Sequence, residues 1–599
     1  MKRLSPVLVI FLILLPALIT DITRVRSWNT NINADGYGYY AYLPCVFIYH
    51  KLDYQRVIEA EHKLRPGMDR DEVEYPFLPN KIDISKHTDK YFVGEAIVIA
   101  PFFLTAYFVS YLSGFDLNGY SVLFQEAVTL AALFYLFIGL WCLRKLLLKF
   151  NIADAVIYFT LVLVVYATNL FYYATIEPSM SHVYSFGLMA VFLYYVKRAM
   201  DDTKLRDLLP ASLLLGLLVV IRPTNVLIVF VIPFLAGSIQ QTKQFLTSIL
   251  SFKKIAPVFL AAFLAVGIQL IKWHAETGHW LVWGYGGEGF DFSRPRFFDM
   301  LFSYRKGWFV YTPIMLVALA GAAIMLSIKK DIFRLAIVVV FFLLSTYVLS
   351  SWWQWWYGGS FGMRVFIDFY PFYALLFALT LTQIKTRFAK RIMVGVSVLC
   401  LALCIIQTIQ YNKFIISYDK MNGNRYWNVF LKTADKYGWV YDDPASKLNL
   451  FDKPVYTNNF ESTNYASVSS TMHLHSGAHS LQVNNSSGRM LLCSFSAAAI
   501  PANTGVVMYV SLWAYTDDLS NDARIITQIK PANAAVSYTD EHTLANEMAG
   551  DKEWEMVGYI GKLLPALLPT DSVKVFIECT KGSLSIDDIE LKFGKERMQ

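Results

Sequence analysis

Charge is what this sequence has least of. Asp, Glu, Lys and Arg make up 17% of its 599 residues, against about a quarter in a soluble globular chain. The shortage is concentrated in the first two thirds. There, apolar runs of about 18–22 residues recur, long enough to cross a hydrocarbon core about 30 Å thick. An ordinary soluble domain is excluded for that region. The net charge of +7 is no sign of nucleic-acid binding, because the basic residues cluster in short loops between the runs, as cytoplasmic loops of membrane proteins do. Cysteine is scarce too. Cys45, Cys142, Cys400, Cys404, Cys493 and Cys579 show no metal-ligand spacing. Cys400 and Cys404 lie one turn apart in an apolar helix and read as packing residues. Cys493 and Cys579 leave a disulfide open if the polar last third is extracytoplasmic. The apolar run that follows Met1-Lys2-Arg3 has no small-x-small cleavage site, so an uncleaved first span is expected.

What is present is a series of spans and then a polar third. Spans are expected at 4–20, 121–142, 153–171, 183–197, 208–221, 223–238, 255–271, 308–327, 332–351, 365–383 and 392–411. Basic clusters at Lys2/Arg3, Arg144/Lys145/Lys149, Lys197/Arg198/Lys204/Arg206, Lys243/Lys253/Lys254, Lys329/Lys330/Arg334 and Lys385/Arg387/Lys390/Arg391 occupy alternate connections. They place the N-terminus inside and the C-terminal third outside. Residues 93–113 break this alternation. With Gly94, Pro101 and Gly114 in or beside them, they read as a re-entrant or shallow element with both ends outside. Residues 21–92 form a first external loop, in which Lys51–Leu64 has the pattern of an amphipathic helix. From about residue 455 the period changes to two. Ser480–Asn484, Val506–Tyr515, Ile525–Lys530, Glu555–Ile560 and Val573–Glu578 alternate between Gly, Pro, Asn and Asp, as in an antiparallel β-sandwich. The expected domains are a membrane part at 1–411, a linker at 412–454 and a sandwich at 455–599.

The residues able to do chemistry collect at the outer ends of the spans. Asp35, in Asn31-Ile32-Asn33-Ala34-Asp35-Gly36-Tyr37-Gly38-Tyr39-Tyr40, stands where the first span meets the first external loop. A carboxylate there has the depth to act as general base toward an acceptor hydroxyl, or to hold a divalent cation against a leaving phosphate; its bland alternative is a turn-forming Asp-Gly pair. Glu177 and His182, in Glu177-Pro178-Ser179-Met180-Ser181-His182, supply a second acid and a hydrogen-bond donor; the bland alternative is a solvated helix-start motif with Pro178 and Ser181 as cap residues. Arg222, Arg364, Arg305, Lys306 and Lys90 provide positive charge at the same face. Guanidinium suits phosphate through its bidentate geometry, which favours Arg222 and Arg364. Snorkelling to the head-groups accounts for Lys306 and Lys90. Tyr39, Tyr40, Trp283 and Glu288 are further candidates for contact with substrate. Trp352, Trp353, Trp355 and Trp356 read mainly as an interfacial belt.

These motifs, in this order, resemble the GT-C superfamily of polyprenyl-phosphate-sugar-dependent glycosyltransferases, which includes protein O-mannosyltransferases and lipid A aminoarabinose transferases. The points of likeness are Ala34-Asp35-Gly36-Tyr37 with Tyr39-Tyr40, Glu177–His182, Gly307-Trp308-Phe309-Val310-Tyr311-Thr312-Pro313 and Gly358-Gly359-Ser360-Phe361-Gly362-Met363-Arg364, within residues 1–411. The resemblance implies a polytopic α-helical membrane protein of about 11 spans with Asp35 catalytic. It also implies a lipid-phosphate-linked sugar donor, an envelope glycan, lipid or protein acceptor, and a bacterial inner-membrane location. Many members carry a second acid beside the first-loop Asp; here Gly36 and Tyr37 stand instead. That leaves no cofactor certain, with a divalent cation at Asp35 open. Leu584-Ser585-Ile586-Asp587-Asp588-Ile589-Glu590-Leu591 and Ser476-Gly477-Ala478-His479-Ser480-Leu481 resemble strands of carbohydrate-binding jelly rolls. Two other readings compete. A glycolipid transporter or flippase predicts charges at the bilayer midplane and often an internal repeat. A non-catalytic glycan-binding assembly protein would keep the scaffold alone.

Overall fold

The structure, a computed structural model, describes residues 5–23, 30–52, 54–64, 77–79, 87–440, 444–451, 453–461, 469–500, 505–530, 538–548, 551–552, 554–562, 564 and 566–596. The chain is a polytopic α-helical membrane protein that continues into an antiparallel β-sandwich. It divides into two compact units, residues 1–302, 307–357 and 361–405 in one, and residues 303–306, 358–360 and 406–599 in the other.

In the first unit each expected span is helical. Among them are Pro6–Thr23, Val122–Lys149, Ser181–Asp202, Leu205–Ile221, Phe252–Thr277, Ile332–Ser350, Tyr370–Gln383 and Arg387–Asn412. Six described helices are long and apolar enough to cross a membrane. Two spans are interrupted at proline, and 153–171 breaks at Ala167–Asn169 without one. Pro223 begins nine residues of tighter 3-10 helix that lead into the Ile232–Ala236 turn, and Pro313 restarts a helix after Trp308–Tyr311, since proline lacks the amide that would continue the previous turn. The outward-facing side chains of these helices are large and apolar, as in Phe259, Leu264 and Leu399.

Residues 93–113 are not broken. Gly94–Ser113 is one 20-residue helix that accommodates Pro101. A Cβ on Gly94 would meet the Ile221 amide at 2.4 Å, at the far end of Leu205–Ile221, while Gly119 beyond the other end packs on Pro44. The next helix starts beside Asp35, because Gln125 Oε1 accepts from the Ile32 amide at 2.8 Å, and it ends where Lys149 pairs with Asp201 at 2.6 Å. The Gly94–Ser113 helix is among those long and apolar enough to cross a membrane. On the shallow reading that the charge alternation gives, single cysteines at positions 90 and 116 should both react with an impermeant maleimide from one face of sealed vesicles; labelling from opposite faces would make Gly94–Ser113 a true span.

In the second unit the strands form two sheets. Tyr538–Thr543, Arg524–Lys530, Ser572–Glu578 and Met490–Ser496 lie in that order in one. In the other the order is Glu555–Ile560, Val507–Tyr515, Ser583–Glu596, Ser480–Asn484 and Ser469–Ser470. This interleaved order is jelly-roll-like. Inward residues such as Val483, Val510, Ile525, Val575 and Ile586 form a continuous apolar core. The pairing extends upstream of residue 455, because Leu448–Leu450 pairs with Gly594–Glu596. The segment expected as a linker also carries a helix, Gly423–Val429, whose Arg425 bonds Glu547 at 2.6 Å. No disulfide joins Cys493 and Cys579, and all six cysteines are free thiols. Cys493 sits opposite Val575. Residue 579 lies four residues further on, about 13 Å along an extended strand, beyond the roughly 7 Å that a disulfide tolerates between Cα atoms.

Candidate active site

The stretch around Asp35 is a buried helix start rather than an open loop. Gly36–Phe47 is helical with Asp35 at its N-cap. The Asp35 side chain makes no capping bond, which leaves it available to other partners. Gly36 is needed for the approach of the next element: a Cβ there would fall 2.0 Å from Ser179 Oγ, and the Asn33 amide donates to the same hydroxyl at 3.3 Å. The Glu177–His182 motif is thereby pressed against Asp35. Neither cap expected in that motif forms, since Met180 is the N-cap residue and makes no side-chain cap bond.

Arg364 comes to Asp35 from 329 residues away. Its Nη2 donates to Asp35 Oδ2 at 2.6 Å and to the Tyr357 carbonyl at 2.9 Å, and its Nη1 to Met180 Sδ at 3.2 Å. The backbone that delivers it is fixed on both sides. Asn169 donates to the Phe361 carbonyl at 2.8 Å, and Gly362 has φ +60 with Tyr311 Cβ 2.9 Å from any added Cβ, so no side chain fits there. The Arg364 side chain is 9% exposed and that of Asp35 31%. The Nε of Arg364 is buried with no hydrogen-bond partner among the described residues. Burial alone would push the Asp35 carboxyl up. The Arg364 guanidinium, the Tyr91 hydroxyl and Lys90 hold it below the usual carboxylate range.

A second cluster adjoins the first. His182 Nδ1 lies 3.0 Å from Asp368 Oδ1, both side chains being 1% exposed. Arg222 Nε lies 3.3 Å from Asp368 Oδ2, its Nη1 3.4 Å from His182 Nε2, and its guanidinium 6.0 Å from the centroid of Tyr357. The two arginines thus approach Tyr357, Arg222 at its ring and Arg364 at its carbonyl. Asp368 is absent from the sequence-derived set, although an ionisable residue inside an apolar segment is itself a functional signal. Glu95 is a second such omission. It is fully buried, and neither carboxylate oxygen has a hydrogen-bond partner among the described residues.

The other candidates separate into those at the site and those elsewhere. Tyr39 packs on Tyr91 with centroids 4.4 Å apart and ring planes tilted by 39°, and lies within electrostatic range of Arg222 and Asp35. Tyr40 does not share that position. Successive helical residues point about 100° apart, and the Tyr40 hydroxyl donates to the Gly119 carbonyl at 2.6 Å, so its role is packing. Glu177 accepts from the Tyr172 hydroxyl at 3.1 Å and acts electrostatically on Arg364. Lys90 pairs with Glu288 at 2.9 Å, and Trp283 Nε1 donates to the Glu288 carbonyl at 2.9 Å, which links three candidates into a rim beside Asp35. Arg305 belongs to the other unit, where its Nε donates to the Asp419 carbonyl at 3.0 Å. Lys306, in the same unit, is 1% exposed and donates to the Ser360 and Tyr418 carbonyls, so it does not snorkel. Trp355 and Trp356 are buried and Trp353 is exposed, so the expected belt holds for only part of the tryptophan run.

A divalent cation does not fit Asp35 as the site stands, because its close charged partner is a guanidinium. Among the described residues the group of metal-ligand type is His475, Asp587 and Asp588, in the sandwich.

No protein-family model matches the chain, and no curated protein does. Among solved structures, the arabinosyltransferase EmbB from Mycobacterium smegmatis aligns at 10% identity with a TM-score of 0.33. The alignment covers 84% of this chain and 60% of that one. So low a TM-score carries no weight for either fold or function.

Proposed function

We propose that the chain is a membrane glycosyltransferase. It moves a sugar from a polyprenyl-phosphate donor to an envelope glycan, lipid or protein acceptor on the outer face of a bacterial inner membrane, with the N-terminus cytoplasmic. The observation that carries this reading is the Asp35–Arg364 pair beside the half-buried Arg222. It sets one carboxylate against two guanidiniums where spans meet an external loop. Arg222 and Arg364 receive the donor phosphate. The acceptor oxygen bonds to the anomeric carbon as the bond from that carbon to the phosphate oxygen breaks, and the departing electron pair stays on the phosphate. Asp35 takes the acceptor proton. A single in-line displacement inverts the anomeric centre. Arg364 couples the two halves of the step: turning toward phosphate, it releases Asp35, whose basicity then rises as the acceptor proton becomes acidic.

The test is transfer from a radiolabelled polyprenyl-phosphate sugar by protein purified in nanodiscs. Arg222→Lys and Arg364→Lys each keep the charge but lose the fork geometry. Each should lower kcat/KM by about 100-fold, equivalent to one lost charged hydrogen bond of about 2–3 kcal/mol. Unchanged transfer in both would reject the phosphate assignment.

A further inference from the structure

The Gly94–Ser113 helix delivers to the site a group that has no use in the step above. Its first turn is pressed against the end of Leu205–Ile221, where a Cβ on Gly94 would lie 2.4 Å from both the Ile221 nitrogen and the Val220 carbonyl carbon. Glu95 follows directly and Arg222 is the residue after Ile221, so this contact fixes the two side chains in one neighbourhood. Asp35 and Arg222 are the charges that act on Glu95, and Tyr39 feels all three. Glu95 has no exposed surface, and among the described residues neither oxygen receives a hydrogen bond.

A carboxyl group has room for several hydrogen bonds, and burial without them disfavours its charged form. The cations in reach have other partners: Arg222 faces Asp368, and Arg364 faces Asp35. The site therefore presents a cationic side (Arg222, Arg364, Lys90) and, beside it, an unpartnered carboxyl (Glu95). The ligand that satisfies both carries an anionic acceptor group and several O–H donors close together.

We propose that Glu95 receives ring hydroxyls of the donor sugar and is a specificity-determining residue of the site. This rests on the phosphate reading of Arg222 and Arg364 and extends it to the glycosyl half of the donor. It also places the site's second acid on a different segment from Asp35, where Gly36 leaves no room for one.

The experiment is isothermal titration of the full chain in nanodiscs with inorganic phosphate and with a panel of hexose and pentose 1-phosphates (glucose, galactose, mannose, ribose and arabinose). It compares wild type, Glu95→Gln and Glu95→Leu. At least one sugar phosphate should bind wild type about ten-fold more tightly than inorganic phosphate, as paired hydroxyls do. Glu95→Leu should reduce that advantage to about three-fold or less while leaving inorganic phosphate within about two-fold, since Glu95 has no ion-pair or hydrogen-bond partner among the described residues for the substitution to strand. Glu95→Gln should keep part of the advantage, because its amide oxygen still accepts. A sugar-phosphate advantage unchanged in Glu95→Leu, or absent from wild type, would overturn the assignment. So would an equal loss of phosphate and sugar-phosphate binding, which marks a structural role. Failure of wild type to bind inorganic phosphate would overturn the phosphate reading together with this one.

Discussion

Asp35→Asn should abolish transfer from a polyprenyl-phosphate sugar, lowering kcat by about 10³-fold, within the range for loss of a positioned general base. Expression and membrane insertion should be unaffected. Asn is isosteric and still accepts one hydrogen bond from Arg364, so the loss isolates proton transfer from packing. The pH profile supplies an independent readout. Arg364 holds the Asp35 carboxyl low, so Asp35 is ionised throughout the neutral range and imposes no acid limb there. Replacing Arg364 by Met removes the main lowering influence and leaves burial, which raises the value. In Arg364→Met an acid limb should therefore appear at higher pH than in wild type, read from kcat/KM against pH. An unchanged profile, or full activity in Asp35→Asn, would remove Asp35 from the chemistry.

Asp368→Leu is expected to be the most damaging substitution outside Asp35. Asp368 is the carboxylate partner of both Arg222 and His182. Removing one member of a buried ion pair leaves an uncompensated charge and costs about 3–5 kcal/mol. The loss should appear as a fall of several degrees in the unfolding midpoint in detergent, with transfer activity lost alongside it. The double variant Asp368→Leu/Arg222→Met should regain much of the stability, because the stranded cation is gone, and none of the activity. Equal destabilisation of single and double variants would show that Asp368 supports the fold by some route other than Arg222.

The sequence made the two solvents legible because they impose different periods. Apolar runs longer than 17 residues became helices, and alternating stretches such as Ser480–Asn484 and Glu555–Ile560 became strands. Tyr538–Thr543, with burial alternating only weakly, lies at a sheet edge where a polar strand gives little contrast. At the site, Asp35, His182, Arg222 and Arg364 stood out as polar groups at span ends, and packing brought them together. Asp368 and Glu95 did not stand out, because each is a single charge inside an apolar run and reads as noise in a hydropathy window. Tyr39 and Tyr40 were indistinguishable until Gly36–Phe47 was seen to be a helix. The missing companion acid beside Asp35 has a steric cause: Ser179 occupies the space that a side chain at position 36 would need. That constraint depends on a contact spanning 143 residues and has no local signature.

The most direct measurement is a structure of the protein in nanodiscs with a polyprenyl-phosphate sugar bound. The expected result is the phosphate within hydrogen-bond distance of the Arg222 and Arg364 guanidiniums, with Asp35 freed from Arg364 and facing the anomeric carbon. A phosphate bound away from both arginines, with the Asp35–Arg364 pair intact, would contradict the proposed site.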